Sequence, residues 1–181
     1  RQLESPLISD GSRIYFNEFM GSSQVLAQVS ATGGQTGTLA SGIQAPMLAD
    51  LAPDSSSLLV YAPKLDFYAP KVNWFLLPLP AGEPRKVPGF EGFWGVRFSP
   101  GGNFLLSKGR SLYVSETDSS NTRKLFDFQK IVAGFVVSPD GKKIRVNLRS
   151  NTSRRSLWEV NSDGSNPHPL LPGWQSEGDT C

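Results

Sequence analysis

The sequence predicts an all-β chain built from four similar units, and three observations carry that reading. First, the stretch Val137-Ser138-Pro139-Asp140-Gly141-Lys142-Lys143-Ile144 returns three more times. It does so as Ile8-Ser9-Asp10-Gly11-Ser12-Arg13-Ile14, Ala52-Pro53-Asp54-Ser55-Ser56-Ser57-Leu58 and Ser99-Pro100-Gly101-Gly102-Asn103-Phe104-Leu105. Second, a further pair of apolar segments joined by a turn follows each copy. Third, no window of ten or more residues shows a helical apolar stripe, while Gly (18) and Pro (14) are plentiful for a helical protein. The intervals between the apolar residues Ile14, Leu58, Leu105 and Ile144 are 44, 47 and 39 residues. Four strands in such a period make one propeller blade. The expected fold is therefore a β-propeller or partial propeller of four blades, each of four antiparallel strands.

The turn motif explains the first hairpin of each unit. Ser favours the first position of a type I turn, Pro presets φ at the second, Asp tolerates the third, and Gly takes the left-handed exit. Apolar and β-branched runs flank it, Phe135-Val136-Val137 before and Ile144, Val146 and Leu148 after, which is a hairpin signature. The second hairpin follows from a step of 13 residues, as in Leu26 to Leu39 and Trp74 to Val87. Gly33-Gly34 and Pro80-Ala81-Gly82 lie between those pairs.

The blades are placed at about residues 2–41, 44–89, 93–128 and 131–173, leaving the tail 174–181 as the approach to a fifth unit. The first begins with the short strand Ser5-Pro6-Leu7-Ile8. Ile14–Phe16, Leu58–Tyr61 and Leu105–Leu106 are apolar on both faces, as expected where each blade is covered by neighbours. The third opens on Phe93-Trp94-Gly95-Val96-Arg97-Phe98, where Gly95 points to close packing. The fourth alternates, with Ile144, Val146 and Leu148 on one face and Lys143, Arg145, Asn147 and Arg149 on the other. A polar face of that kind is expected on a wetter or terminal blade.

The chain of 181 residues has a net charge of +2, which by itself selects no partner. Residues 1–84 carry −3 and residues 85–181 carry +5. The lone Cys181 excludes an internal disulfide and leaves the compartment open between bacterial periplasm and cytoplasm. No apolar run reaches the length of a membrane span. Arg1 in place of an initiator Met points to a piece of a longer chain.

Several chemistries lack the residues they need. The only His, His168, stands between Pro167 and Pro169 in a turn, with no orienting third group for a triad. No Gly-x-Ser-x-Gly elbow occurs. One His and one Cys cannot form a zinc site, so neither a metal nor a cofactor is expected. Asp10, Asp54 and Asp140 recur at equivalent places, and turn capping accounts for them better than a ring of cation ligands. Two segments stand out as partner contacts. The long loop 62–72 carries Leu65, Phe67 and Tyr68. The basic run from Lys142 to Arg155 includes Lys143, Arg145, Arg149, Arg154 and Arg155 and holds no acid. It also lacks an aromatic to stack on a base, so nucleic acid is not expected there.

The pattern Ser-Pro-Asp-Gly-Lys-x-Ile, followed by Leu-Trp-x-Val-x-x-Asp-Gly-x-x-x-x-x-Leu, resembles the WD-like repeats of TolB-type propellers over residues 5–173. Unit one has Ser9 at the turn Pro, and unit two has Ser55 at the turn Gly. The resemblance implies a non-catalytic binding scaffold for a protein or small ligand, serving as the sensory or assembly part of a larger bacterial protein. Among such relatives the chain is most similar to the propellers that follow a winged-helix domain in bacterial regulators. The gating propeller of a prolyl-oligopeptidase-type serine peptidase, its catalytic domain absent, is the alternative. Such propellers have six or more blades. Four units imply a fragment, a homodimer completing one ring, or four blades closing alone.

Overall fold

The computed structural model describes residues 2–21, 23–64, 71–116, 120–152, 154–174 and 176–177. Among them there is no helix, and so none long and apolar enough to cross a membrane. The chain divides into two compact units, Arg1–Gly92 and Phe93–Cys181.

The first unit holds two four-stranded sheets. Strands β1 (Gln2–Ser9), β2 (Arg13–Met20), β3 (Ser23–Ser30) and β4 (Gly37–Leu39) pair in chain order. So do β5 (Met47–Leu51), β6 (Ser57–Lys64), β7 (Lys71–Pro78) and β8 (Arg85–Val87). The second unit repeats the plan with β9 (Gly95–Phe98), β10 (Phe104–Lys108), β11 (Ser111–Ser115) and β12 (Arg123–Asp127). Its other sheet runs β13 (Ile131–Val137), β14 (Lys143–Arg149), β15 (Arg154–Asn161) and β16 (His168–Pro169). Within each of these four-strand runs the pairing is antiparallel between sequence neighbours, the meander of a propeller blade. The fold is all-β, with four propeller blades, two in each unit.

The turns form as their residues dictate. The Gly141 N–H donates to the Ser138 carbonyl at 2.8 Å, and the Gly102 N–H to that of Ser99 at 2.9 Å. Ser55, which replaces the turn glycine in the second blade, takes the same left-handed backbone at φ +58°. The 13-residue step is a direct cross-strand pair at Leu26–Leu39 and Trp74–Val87. In the third blade an irregularity between Leu112 and Tyr113 shifts it, so Leu112 faces Phe126.

Each unit buries its own core between its two sheets. In the first, Tyr15, Leu26 and Leu39 meet Leu48, Leu58, Val60 and Leu77. In the second, Leu105, Leu112 and Phe128 meet Phe135, Ile144, Val146, Leu148 and Val160. Burying each such side chain contributes about 1.5–3 kcal/mol. Glycines allow the closest approaches in the second unit. A Cβ on Gly95 would lie 3.0 Å from Phe135 Cε1, and one on Gly164 would lie 2.5 Å from the Leu125 carbonyl oxygen. The close packing expected at Gly95 is thus contact with the first strand of the next blade.

Three details depart from the sequence reading. β1 is longer than Ser5–Ile8, running from Gln2 with an irregularity between Glu4 and Ile8. β9 begins at Gly95, leaving Phe93 buried but outside the strand and Trp94 exposed. The fourth sheet has a fifth strand, β17 (Ser176–Glu177), paired with β15. This part of the tail returns to its own blade because the eight-residue β15 is only partly covered by the two-residue β16.

Candidate functional site

The alternation along β14 sorts its residues as the sequence implied. Ile144, Val146 and Leu148 are buried in the core of the second unit. Lys143, Arg145, Asn147 and Arg149 occupy the opposite face, with Arg145 and Arg149 exposed. The tight β14–β15 hairpin then decides which residues meet. Register places Val136, Arg145, Glu159 and His168 in one cross-strand row, and Arg149 directly opposite Arg155.

The electrostatics of this face are built around one carboxylate. Glu159 Oε1 lies 3.5 Å from Lys143 Nζ, and Oε2 lies 3.4 Å from Arg145 Nε. Lys143 Nζ also donates to Asn161 Oδ1 at 2.8 Å. The Glu159 side chain is only 13 % exposed, while that of Arg145 is 61 % exposed. Glu159 therefore offsets part of the charge of the row from beneath. Val136, 58 % exposed, supplies an apolar neighbour. Arg154 and Arg155 begin β15, where the backbone register pairs them with Glu177 and Ser176.

The structure thus brings Lys143, Arg145 and Arg149 onto one face, with Arg155 opposite Arg149. Leu65, Phe67 and Tyr68 lie outside the described residues. Glu159 was not singled out from the sequence, because the run from Lys142 to Arg155 contains no acid. The hairpin register was the signal: with Arg149 opposite Arg155, Arg145 falls opposite Glu159.

The recurring aspartates cap turns. Asp10 Oδ1 accepts the N–H groups of Ser12 (2.8 Å) and Arg13 (2.7 Å), and Oδ2 accepts the Tyr15 hydroxyl at 2.7 Å. Asp54 accepts from the Ser56 N–H, Asp140 from the Lys142 N–H and the Ser138 hydroxyl, and Asp163 from the Ser165 N–H. The bond from Tyr15, with those from the turn amides, holds Asp10 well below the usual carboxylate range. Among the described residues no group of three or more His, Cys, Asp or Glu side chains is placed to hold a metal. His168 Nδ1 sits 2.9 Å from its neighbour Asn166's carbonyl oxygen, a local turn contact.

A cleft of about 400 Å³ also opens between the two turn motifs of the second unit. Pro100, Asn103, Arg123, Asp140 and Ser162 edge it over a floor that includes Phe104 and Ile144.

No protein-family model matches this sequence, and no curated protein matches it. Solved structures do. A TolB from Agrobacterium tumefaciens superposes with a TM-score of 0.77 at 16 % identity, over 91 % of this chain and 63 % of that one. TolB from Acinetobacter baumannii gives 0.75 at 19 % identity, over 92 % of this chain and 44 % of that one. A gluconolactonase from Xanthomonas campestris gives 0.58 at 13 % identity, over 77 % and 52 %. The chain therefore spans less than two thirds of the length of either TolB structure. Likeness at these identities concerns architecture: this chain is a β-propeller whose fold is similar to that of the TolB structures.

Proposed function

We propose that this chain is a non-catalytic binding module, and that the outer face of its fourth sheet receives an acidic segment of a protein partner. The observation that carries the reading is the exposure of Arg145 and Arg149 on the polar face of β14, with Arg155 opposite Arg149 in the hairpin register. Cations gathered on one strand face attract an anionic partner. Residues 93–181 carry 12 basic and 8 acidic side chains, which adds a long-range attraction for the same partner. The half-neutralised row of Lys143, Arg145 and Glu159 beside exposed Val136 gives mixed polar and apolar contact, as interface rims do. The module reading extends to a sensory or assembly role within a larger bacterial protein.

Calorimetric titration with an acidic peptide of alternating Glu and Ala tests the reading. The expected result is saturable binding that weakens with salt and falls at least about tenfold in the Arg149→Glu/Arg155→Glu variant. Absence of binding, or binding unchanged in that variant, overturns the assignment of the face. Light scattering of the same sample reports whether the partner is a second copy. Hydrolysis of a peptide substrate by the pure chain overturns the non-catalytic part.

A further inference from the structure

The opposite face of the same hairpin carries a different kind of opening. A pocket of about 260 Å³ lies where β12 and the loop after it meet β14 and β15. Phe126, Phe128, Leu148 and Trp158 line it, with Asp127, Gln129 and Lys130 as its polar lining. The register pairs Val146 with Trp158, so the pocket opens on the apolar face and not on the arginine face described above.

The walls are aromatic and mutually braced. The Phe126 and Phe128 rings are 4.7 Å apart and edge-on at 66°, and those of Phe128 and Trp158 are 6.3 Å apart at 78°. Edge-to-face pairs present both ring faces and ring edges to a guest, an arrangement that accepts another aromatic ring. Leu148 and Phe128 are buried and close the floor. The volume lies a little below the usual range of small-molecule sites, with room for one or two fused rings.

The charge in the lining decides what such a ring carries. An aromatic box alone would also suit a quaternary ammonium group. Here Lys130 is part of the lining, its ammonium 3.4 Å from Ser156 Oγ, and it opposes a cation. Asp127 also lines the pocket, but its carboxylate is paired with Lys124 Nζ at 3.1 Å and accepts from Ser111 Oγ at 3.0 Å, which leaves Lys130 as the cation without a carboxylate partner among the lining residues. The same ammonium would pair with a carboxylate held just outside the ring.

We infer that this pocket binds a small aromatic carboxylic acid, its ring against Phe126, Phe128 and Trp158 and its carboxylate on Lys130. This assigns a second site, independent of the protein-binding face.

The test uses the 181-residue chain and three probes that share one ring: indole-3-acetate, indole and tryptamine. Calorimetry is expected to give saturable binding of indole-3-acetate with a Kd of about 1 mM or tighter. Indole should bind about tenfold more weakly, and tryptamine more weakly still. Lys130→Met should bring the acid down to the level of indole, and Lys130→Arg should restore it. Backbone amide shifts should map to Phe128, Lys130 and Trp158. A Gly-Gly-Trp peptide offers the same ring and carboxylate on a chain end; tighter binding of it than of indole-3-acetate overturns the free acid in favour of a partner's C-terminus. No saturable binding, tryptamine equal to the acid, Lys130→Met without effect, or shifts elsewhere would each overturn the site.

Discussion

Asn17 Oδ1 accepts the backbone N–H of Leu48 at 2.7 Å, and Asn17 Nδ2 donates to the Pro46 carbonyl at 2.7 Å. The side chain is fully buried, and it clamps the second strand of one blade to the first strand of the next. Removing it strands a donor and an acceptor that water does not reach. Asn17→Leu should therefore destabilise the chain by about 3 kcal/mol despite its added apolar surface. Urea denaturation reads this directly, and a midpoint equal to the parent's would contradict the clamp.

Gly95 and Gly164 should resist substitution for a reason Gly11 does not share. Gly95→Ala drives a methyl group to 3.0 Å from the Phe135 ring and 2.6 Å from Ser107 Oγ. The expected loss is about 1–3 kcal/mol. Gly164→Ala meets the Leu125 carbonyl oxygen at 2.5 Å and also sits at φ +88°. Gly11 has a similar φ, +91°, but open space around it, so Gly11→Ala should cost only about 1–2 kcal/mol. Thermal melts of the three variants should rank Gly164→Ala as clearly more damaging than Gly11→Ala. Equal losses would mean that backbone conformation alone matters at Gly164.

Ser55 offers a gain instead. Its left-handed backbone at φ +58° carries about 1–2 kcal/mol of strain for an L-residue. Glycine removes the strain but adds about 0.5–1 kcal/mol of unfolded-state freedom. The net expectation for Ser55→Gly is a small stabilisation, about 0.5 kcal/mol, seen as a rise of about 1–2 °C in Tm. A lower Tm would contradict it.

Hydrogen-bonded aspartates make the fold sensitive to acid. Asp10, Asp54, Asp127, Asp140 and Asp163 all titrate below their ordinary value of 3.8, chiefly through side-chain hydrogen bonds. A carboxylate depressed in the folded state contributes stability above its unfolded value and loses it as pH falls through the folded one. Tm should therefore be insensitive to these groups near neutrality and should drop below about pH 4. Tyr15 moves the other way: burial first, and then its bond to Asp10, raise it above 10.0. Its contribution is present below that value and fades in strong alkali. Tyr15→Phe should flatten both the acid and the alkaline fall, and Asp10→Asn chiefly the acid one. Parent-like pH profiles in both variants would show that the bond does not couple titration to folding.

Much of the architecture is legible because its causes are local. Ser138-Pro139-Asp140-Gly141 closes a turn with its own atoms, and the step from Leu26 to Leu39 is a loop length. Leu58, Leu59 and Val60 read as buried on both faces, and all three are. The candidate face was half legible. The alternation of β14 is a property of the strand itself, whereas Glu159 beneath Lys143 and Arg145 depends on a hairpin register that spans the turn.

What the residues alone determined is the repeated blade: its turns, its four-strand meander and the side of each strand that is apolar. Each of these is set within a few residues by backbone preference and by the period-two alternation of a strand. What only the tertiary structure decided is which blade touches which through a given atom. Asn17 reaches Leu48 across 31 residues, Gly95 makes room for Phe135, and Phe128 meets Trp158 around a pocket. Such contacts depend on how one sheet lies on the next, and no spacing along the chain encodes that distance.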